Sequence, residues 1–204
     1  MRIGLFGSSL NPPTGHGGHL TLVQYFSKVF DELWVLPVYK HVFESKSNSF
    51  APFSDRMAMA TICFSDIENV KIKEIELLVF NEWCGKDGRP GSVDLLHYLR
   101  RNFGEHEFSL VLGGDTFNDL CCGKWKESEF LLGNVEIHVV DRPAVELTER
   151  VSQGNIVYHR VEKLRQVSST LARRSCVGHD MSKMQEFITL PVAKYICDNG
   201  LYMN

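Results

Sequence analysis

The sequence predicts one doubly wound α/β domain: a parallel sheet covered by helices on both faces, with a short helical piece at its C-terminal end. Three observations predict it. Short apolar runs alternate with amphipathic helical patterns along nearly the whole chain, the order that builds parallel crossovers. The first apolar run is followed at once by a glycine-rich stretch, GSSLNPPTGHGGHL, over residues 7–20. No internal repeat or domain-sized linker interrupts the 204 residues, so 1–204 reads as a single domain.

Each element follows from its pattern. Arg2–Phe6 is an apolar strand. Gly17–Phe30 reads as a helix, because Leu22, Val23, Phe26, Val29 and Phe30 share one face. Leu33–Leu36 is a second strand, stopped by Pro37, and Tyr39–Pro52 is a polar, Ser-rich loop. Phe53–Phe64 is helical with Ser54 as its N-cap. Val70–Leu78 alternates apolar and charged residues and reads as a strand. Asn81–Gly91 is a loop, and Ser92–Phe103 is a helix with Val93, Leu95, Leu96 and Leu99 as its stripe. Phe108–Leu112 is a buried strand, Trp125–Leu132 a helix, and Val135–Val140 a strand closed by Arg142-Pro143. Ala144–Asn155 connects to a last strand, Ile156–Val161. Short helices follow Ser168, the final one at Pro191–Asn199, with Gly200 as the residue that ends it.

Composition narrows the function. With 44% hydrophobic and 23% charged residues the chain can bury a core without staples. A net charge of −3 with no Lys/Arg run excludes a non-specific nucleic-acid binder. It leaves room for a small anionic ligand, which needs only a few local cations. No apolar stretch reaches the roughly 18 residues of a membrane span. The first apolar run is too short for a secretion signal, so a cytoplasmic protein is expected. None of the six cysteines forms a CxxC pair; they read as free thiols, the vicinal Cys121-Cys122 included. The sequence leaves a homo-oligomer open.

The glycine-rich stretch carries the chemistry. In doubly wound sheets, ligands sit beyond the C-terminal ends of the strands. Glycines there let a phosphate approach backbone N–H groups, and a following helix start favours anions. The stretch therefore reads as a phosphate cradle. It lacks the lysine of a P-loop and the GxGxxG of a dinucleotide fingerprint. In their place it offers His16-Gly17-Gly18-His19. Two histidines three apart suggest metal, but no third ligand stands at a matching spacing, so no protein metal site is read. A helix-capping histidine beside a half-buried one is the plain structural alternative. Imidazoles donating to phosphate oxygens suit nucleotidyl transfer.

GSSLNPP…HGGH resembles the signature of the nucleotidyltransferase superfamily with an (H/T)xGH motif, and more narrowly the bacterial-type nicotinate/nicotinamide mononucleotide adenylyltransferases. Further stretches agree in order. Gly113-Gly114-Asp115, Trp125-Lys126 and Val140-Asp141-Arg142-Pro143 resemble the family's central block. Val167–Arg173, VSSTLAR, resembles its ISSTxxR motif. Leu190–Ile196 and the Gly200-Leu201-Tyr202 ending resemble its C-terminal pattern, and Gly91–Leu96 is similar to its SYTxDTL segment. The family's first motif follows the Asn-Pro step directly; here Thr14-Gly15 intervene. An ungapped match would start the motif at Thr14 and end it at Gly17. The gapped reading takes His16 as the first motif residue and keeps Gly18-His19 at the helix start.

The resemblance implies a Rossmann-like nucleotidyltransferase fold and transfer of an adenylyl group from ATP to nicotinate or nicotinamide mononucleotide. Mg²⁺ would come with ATP, bridging its phosphates with few protein ligands. His19 would stabilise charge at the α-phosphate, with His16 also touching phosphate. Ser8, Ser9, Lys46, Ser168, Ser169, Thr170 and Arg173 would hold the triphosphate. Gly7, Gly113 and Asp115 would lie along the nucleotide. Trp125 would stack on the pyridine ring, and Ser92 would donate to its carboxylate or amide. Asn11 reads as a loop-former, Ser168 equally as a simple N-cap, Trp125 equally as core. Other readings are a pantetheine-phosphate, FMN or cytidylyl nucleotidyltransferase, and a non-catalytic nucleotide sensor.

Overall fold

A computed structural model describes residues 1–40, 50–83, 89–141, 154–178 and 180–203. The strands are β1 Arg2–Ser8, β2 Glu32–Pro37, β3 Val70–Ile72, β4 Glu107–Gly113, β5 Glu136–Asp141 and β6 Ile156–Arg160. They form one six-stranded sheet in the order β3-β2-β1-β4-β5-β6, with every pairing parallel. The helices are α1 His19–Phe26, α2 Phe53–Phe64, α3 Ile75–Trp83, α4 Ser92–Asn102, α5 Gly114–Cys121, α6 Ser128–Asn134, α7 Ser169–Cys176, α8 Met181–Met184 and α9 Leu190–Asp198. This is the doubly wound arrangement expected.

Alternation along the strands sorts residues to two faces. Phe6, Leu33, Val35, Val111 and Val140 join α1, α2 and the C-terminal helices in one core. Ile3, Leu5, Trp34, Leu36, Leu110, Leu112, Ile137 and Val139 join α3 to α6 in the other. A polar chain crosses the first face. The Glu136 carboxylate is 2.8 Å from His138 Nε2, His138 Nδ1 is 2.8 Å from His159 Nε2, and His159 Nδ1 is 3.1 Å from the Tyr25 hydroxyl. The rings of Phe26 and Phe30 pack against it.

The sheet positions the site through a change of direction. From β1 the chain winds outward to β2 and β3, then returns to lay β4 on the other side of β1. The β1–β2 register runs to Ser8↔Pro37. The β1–β4 register ends at Leu5↔Leu110, short of Ser8 and Gly113 where these strands stop. The strands part there, and a crevice opens at the C-terminal edge, where such sheets hold ligands.

Four element boundaries differ from the sequence reading. Val70–Leu78 is a strand only to Ile72; α3 then begins at Ile75, and Ile75 and Val79, one helical turn apart, are its buried residues. The predicted Gly17–Phe30 helix is regular over His19–Phe26, because the Asn69 side chain takes the carbonyls of Ser27, Phe30 and Asp31 and turns the chain into β2. Pro52, not Ser54, stands at the N-cap of α2. Gly114–Cys121 is helical and was not foreseen, while the helix expected from Trp125 begins at Ser128, whose hydroxyl accepts from the Trp125 N–H.

Candidate active site

The glycine-rich loop closes on itself rather than opening its amides to a ligand. Gly18 N–H donates to the Gly15 carbonyl at 3.0 Å, Leu20 N–H to the Thr14 carbonyl at 3.0 Å, and Gly15 N–H to the Phe187 carbonyl at 2.7 Å. Gly17 N–H donates to Thr21 Oγ1 and His19 N–H to Thr14 Oγ1, each at 2.8 Å. The cradle of free backbone donors is thus corrected: these N–H groups are already taken. The glycines serve close packing. Gly17 has φ +84°, and its face carries the stem of Arg165. A Cβ on Gly18 would stand 2.1 Å from Thr14 Oγ1.

What the loop does present is His19. Its Nε2 lies 3.0 Å from Ser8 Oγ at the end of β1, and its ring stands edge-on to Phe6 with centroids 6.1 Å apart. Its Nδ1 lies 3.0 Å from the Thr14 backbone N–H and 2.8 Å from Thr14 Oγ1. A backbone amide only donates, so Nδ1 is an acceptor and the ring proton sits on Nε2. His19 and Ser8 therefore form one donor pair at the crevice. Gly7 beside them is open, with nothing within 4 Å of a Cβ built on it.

A cavity of about 140 Å³ continues from His19. Thr14, Gly17 and Gly18 line one side; Arg165, Ser168 and Ser169 line the other. Leu22, Leu164 and Val167 make its apolar wall. The structure thus brings the two ends of the chain together, joining the first loop to the start of α7. Ser168 caps α7, its Oγ accepting from the Leu171 N–H at 3.2 Å. Ser169 Oγ donates to the Pro12 carbonyl at 2.8 Å. Arg173 donates to the Asn11 carbonyl at 2.7 Å and to Thr170 Oγ1 at 3.3 Å. Ser169 and Arg173 hold the first loop, a task the motif alone does not reveal.

Ser9 gives its carbonyl to Arg56 Nη1 at 2.9 Å. Arg56, which the sequence reading passed over, is buried and also reaches the carbonyls of Val38, Tyr39 and Ala51. Burial lowers its pKa to about 10, so it stays charged at neutral pH and ties the ends of β1 and β2 together. Asn11 is a loop-former as read: it is fully buried, and Oδ1 accepts from the Ala51 N–H at 2.9 Å and the Tyr202 hydroxyl at 2.6 Å. Gly113 ends β4 across the crevice from Ser8 and precedes α5, with Asp115 exposed in its first turn.

The remaining expected residues fall into three groups. Ser92 opens α4 beside the Trp125-Lys126 turn, since Lys126 Nζ pairs with Asp94 at 2.8 Å and lies 4.4 Å from the Trp83 ring centroid. Trp125 is half-buried against the second core. His16 is exposed and is not among the residues lining the cavity; the residue against His19 is Thr14. Lys46 and Arg142-Pro143 lie outside the described residues. One contributor had no motif to mark it: Arg165 sits three residues before Ser168 as an exposed cation. Thr14 was marked only by the ungapped match, which would start the motif there.

Comparison with known proteins places the chain in a family. The Cytidylyltransferase-like family model matches residues 5–175. A probable nicotinate-nucleotide adenylyltransferase of Halalkalibacterium halodurans is 31% identical over 208 residues, covering 98% of this chain and 91% of the relative. The chain belongs to the nicotinate-nucleotide adenylyltransferase family. Another relative of that name, from Flavobacterium johnsoniae, is 27% identical over 206 residues, covering 99% of each chain. In fold, the chain is similar to a solved structure, the Plasmodium falciparum nicotinic acid mononucleotide adenylyltransferase complexed with NaAD. Its TM-score is 0.73 at 19% identity, with 98% of this chain and 97% of that one covered. Among the described residues no group of three His, Cys, Asp or Glu is placed to hold a metal ion, and no helix is long and apolar enough to cross a membrane.

Proposed function

We propose that this chain transfers the adenylyl group of Mg·ATP to nicotinate mononucleotide, giving the deamido dinucleotide and pyrophosphate. The observation that carries the mechanism is the tautomer of His19: the proton stands on Nε2 and Thr14 occupies Nδ1. Such a ring donates and is not a base. The reaction asks for no base, because the attacking group is an anionic phosphate oxygen of the mononucleotide. It forms a bond to the α-phosphorus in line as the bond to the β-phosphate bridging oxygen breaks, and pyrophosphate leaves with that electron pair. Charge on the phosphate oxygens is what needs stabilising.

His19 Nε2–H and the Ser8 hydroxyl supply donors at the α-phosphate. The triphosphate runs into the cavity toward Ser168 and Arg165, where the start of α7 and an exposed guanidinium favour anions. Magnesium enters with ATP as part of the substrate. The mononucleotide lies across the crevice toward Gly113, Ser92 and Trp125. Free thiols fit a reducing compartment, consistent with work in the cytoplasm.

Pyrophosphate release from Mg·ATP tests the reading, with nicotinate mononucleotide, nicotinamide mononucleotide, pantetheine phosphate and FMN as separate acceptors. Release with nicotinate mononucleotide, at the highest kcat/KM of the four, is expected. Release only with pantetheine phosphate or FMN, or with none while ATP still binds, would overturn it.

A further inference from the structure

We propose that Thr14 is the positioning residue of His19, fixing which imidazole nitrogen carries the proton and where it points. This rests on the adenylyl-transfer reading. Thr14 is 1% exposed and meets His19 three times. Its backbone N–H donates to Nδ1 at 3.0 Å. Its Oγ1 accepts the His19 backbone N–H at 2.8 Å. That acceptance leaves the hydroxyl hydrogen to donate to Nδ1, also 2.8 Å away. Two donors on Nδ1 leave Nε2 as the protonated nitrogen, directed at Ser8 and the crevice.

The surrounding chain is built to seat this residue. Gly18 has no Cβ where one would stand 2.1 Å from Thr14 Oγ1. The Thr14 carbonyl takes the Leu20 N–H at 3.0 Å, so one residue clamps the ring and the first two amides of α1. Gly15 next to it donates its N–H to the Phe187 carbonyl, and a Cβ built on it would stand 3.3 Å from the Ile188 carbonyl carbon. The intervening Thr14 and Gly15 are thus buried and only His16 of this stretch is exposed, while Thr14 and His19 remain face to face. Without the clamp the ring would be free to carry its proton on Nδ1, which would turn a bare lone pair toward the phosphate. Wrong-tautomer rings lose most of their catalytic value.

Two variants and one spectroscopic readout test this. Thr14→Val keeps shape and backbone N–H but removes the hydroxyl; Thr14→Ser keeps the hydroxyl. The ¹⁵N shifts of the His19 imidazole report the tautomer without any turnover. The wild type and Thr14→Ser should show the Nε2–H form; in Thr14→Val only the backbone N–H still holds Nδ1, and the share of the Nδ1–H form should rise above that of the wild type. The kcat of Thr14→Val should fall about 10- to 100-fold, as when a positioning partner is removed. Its KM for ATP should stay within about twofold, and Thr14→Ser should restore kcat. A wild-type ring carrying its proton on Nδ1 would overturn the proposal whether or not the valine variant folds. So would a folded Thr14→Val protein with wild-type kcat and tautomer. If the wild type makes no dinucleotide, the functional reading fails, while the tautomer still decides on the clamp.

Discussion

At the scale of single residues, the candidate site brings together His19 and Ser8, Thr14 against the His19 ring, and Arg165 across the cavity. His19 and Ser8 were legible in the sequence because their motif ties side chain and position to a helix start. Arg165 was not, since a lone arginine between a strand and a helix carries no spacing that marks it; only the folded chain lays its stem on Gly17. If Arg165 meets the triphosphate, Arg165→Ala should raise the KM for ATP about tenfold, the equivalent of ~1.4 kcal/mol, with kcat little changed. Initial rates against ATP concentration at saturating mononucleotide check this, and an unaltered KM would remove Arg165 from the site. His16 shows the opposite lesson. Its place in the sequence beside His19 suggested a shared task, yet in the fold His16 is exposed and the residue against His19 is Thr14.

Among the elements, β5 and β6 bring His138 and His159 together under α1. Burial is the main cause holding each imidazole below its ordinary pKa near 6.5, with the His138 charge adding to it at His159. A depressed folded value means the native state takes up the proton less readily than the unfolded chain. The stabilisation is therefore complete above about 6.5 and is lost as pH falls below it. Arg2 disfavours the charged His138 and Glu136 favours it, while Tyr25 closes the other end of the chain. The urea midpoint of the wild type measured against that of His159→Gln should hold from pH 8 to 7 and decline toward pH 5, since the Glu76 carboxyl, which burial raises to about 7, acts equally in both proteins. An equal difference between the two proteins at pH 5 and 7.5 would contradict it. Element types were mostly readable from periodicity. The misreading at Val70–Leu78 came from two short patterns in series: a three-residue edge strand of period two, then a helix whose buried residues lie four apart.

Over the whole molecule, the C-terminal piece completes the site from a distance. Phe187, Ser169, Arg173 and Tyr202 all bond to residues 11–15, across separations of up to 191 positions. No local pattern encodes such bonds, which is why the sequence showed a helical tail and not a brace. Asn11→Ala would leave the buried Ala51 N–H and the Tyr202 hydroxyl without their acceptor, costing about 2 kcal/mol. Denaturant unfolding should show the lower midpoint at an unchanged slope, and a wild-type midpoint would remove Asn11 from the brace. The most direct test of adenylyl transfer at the β1–β4 crevice is single-turnover dinucleotide formation from Mg·ATP and nicotinate mononucleotide, by the wild type and by His19→Ala. The wild type should form the dinucleotide, and a variant with native circular dichroism should do so slower by on the order of 10²–10³-fold. Equal rates in the two proteins, or no dinucleotide from the wild type, would contradict it.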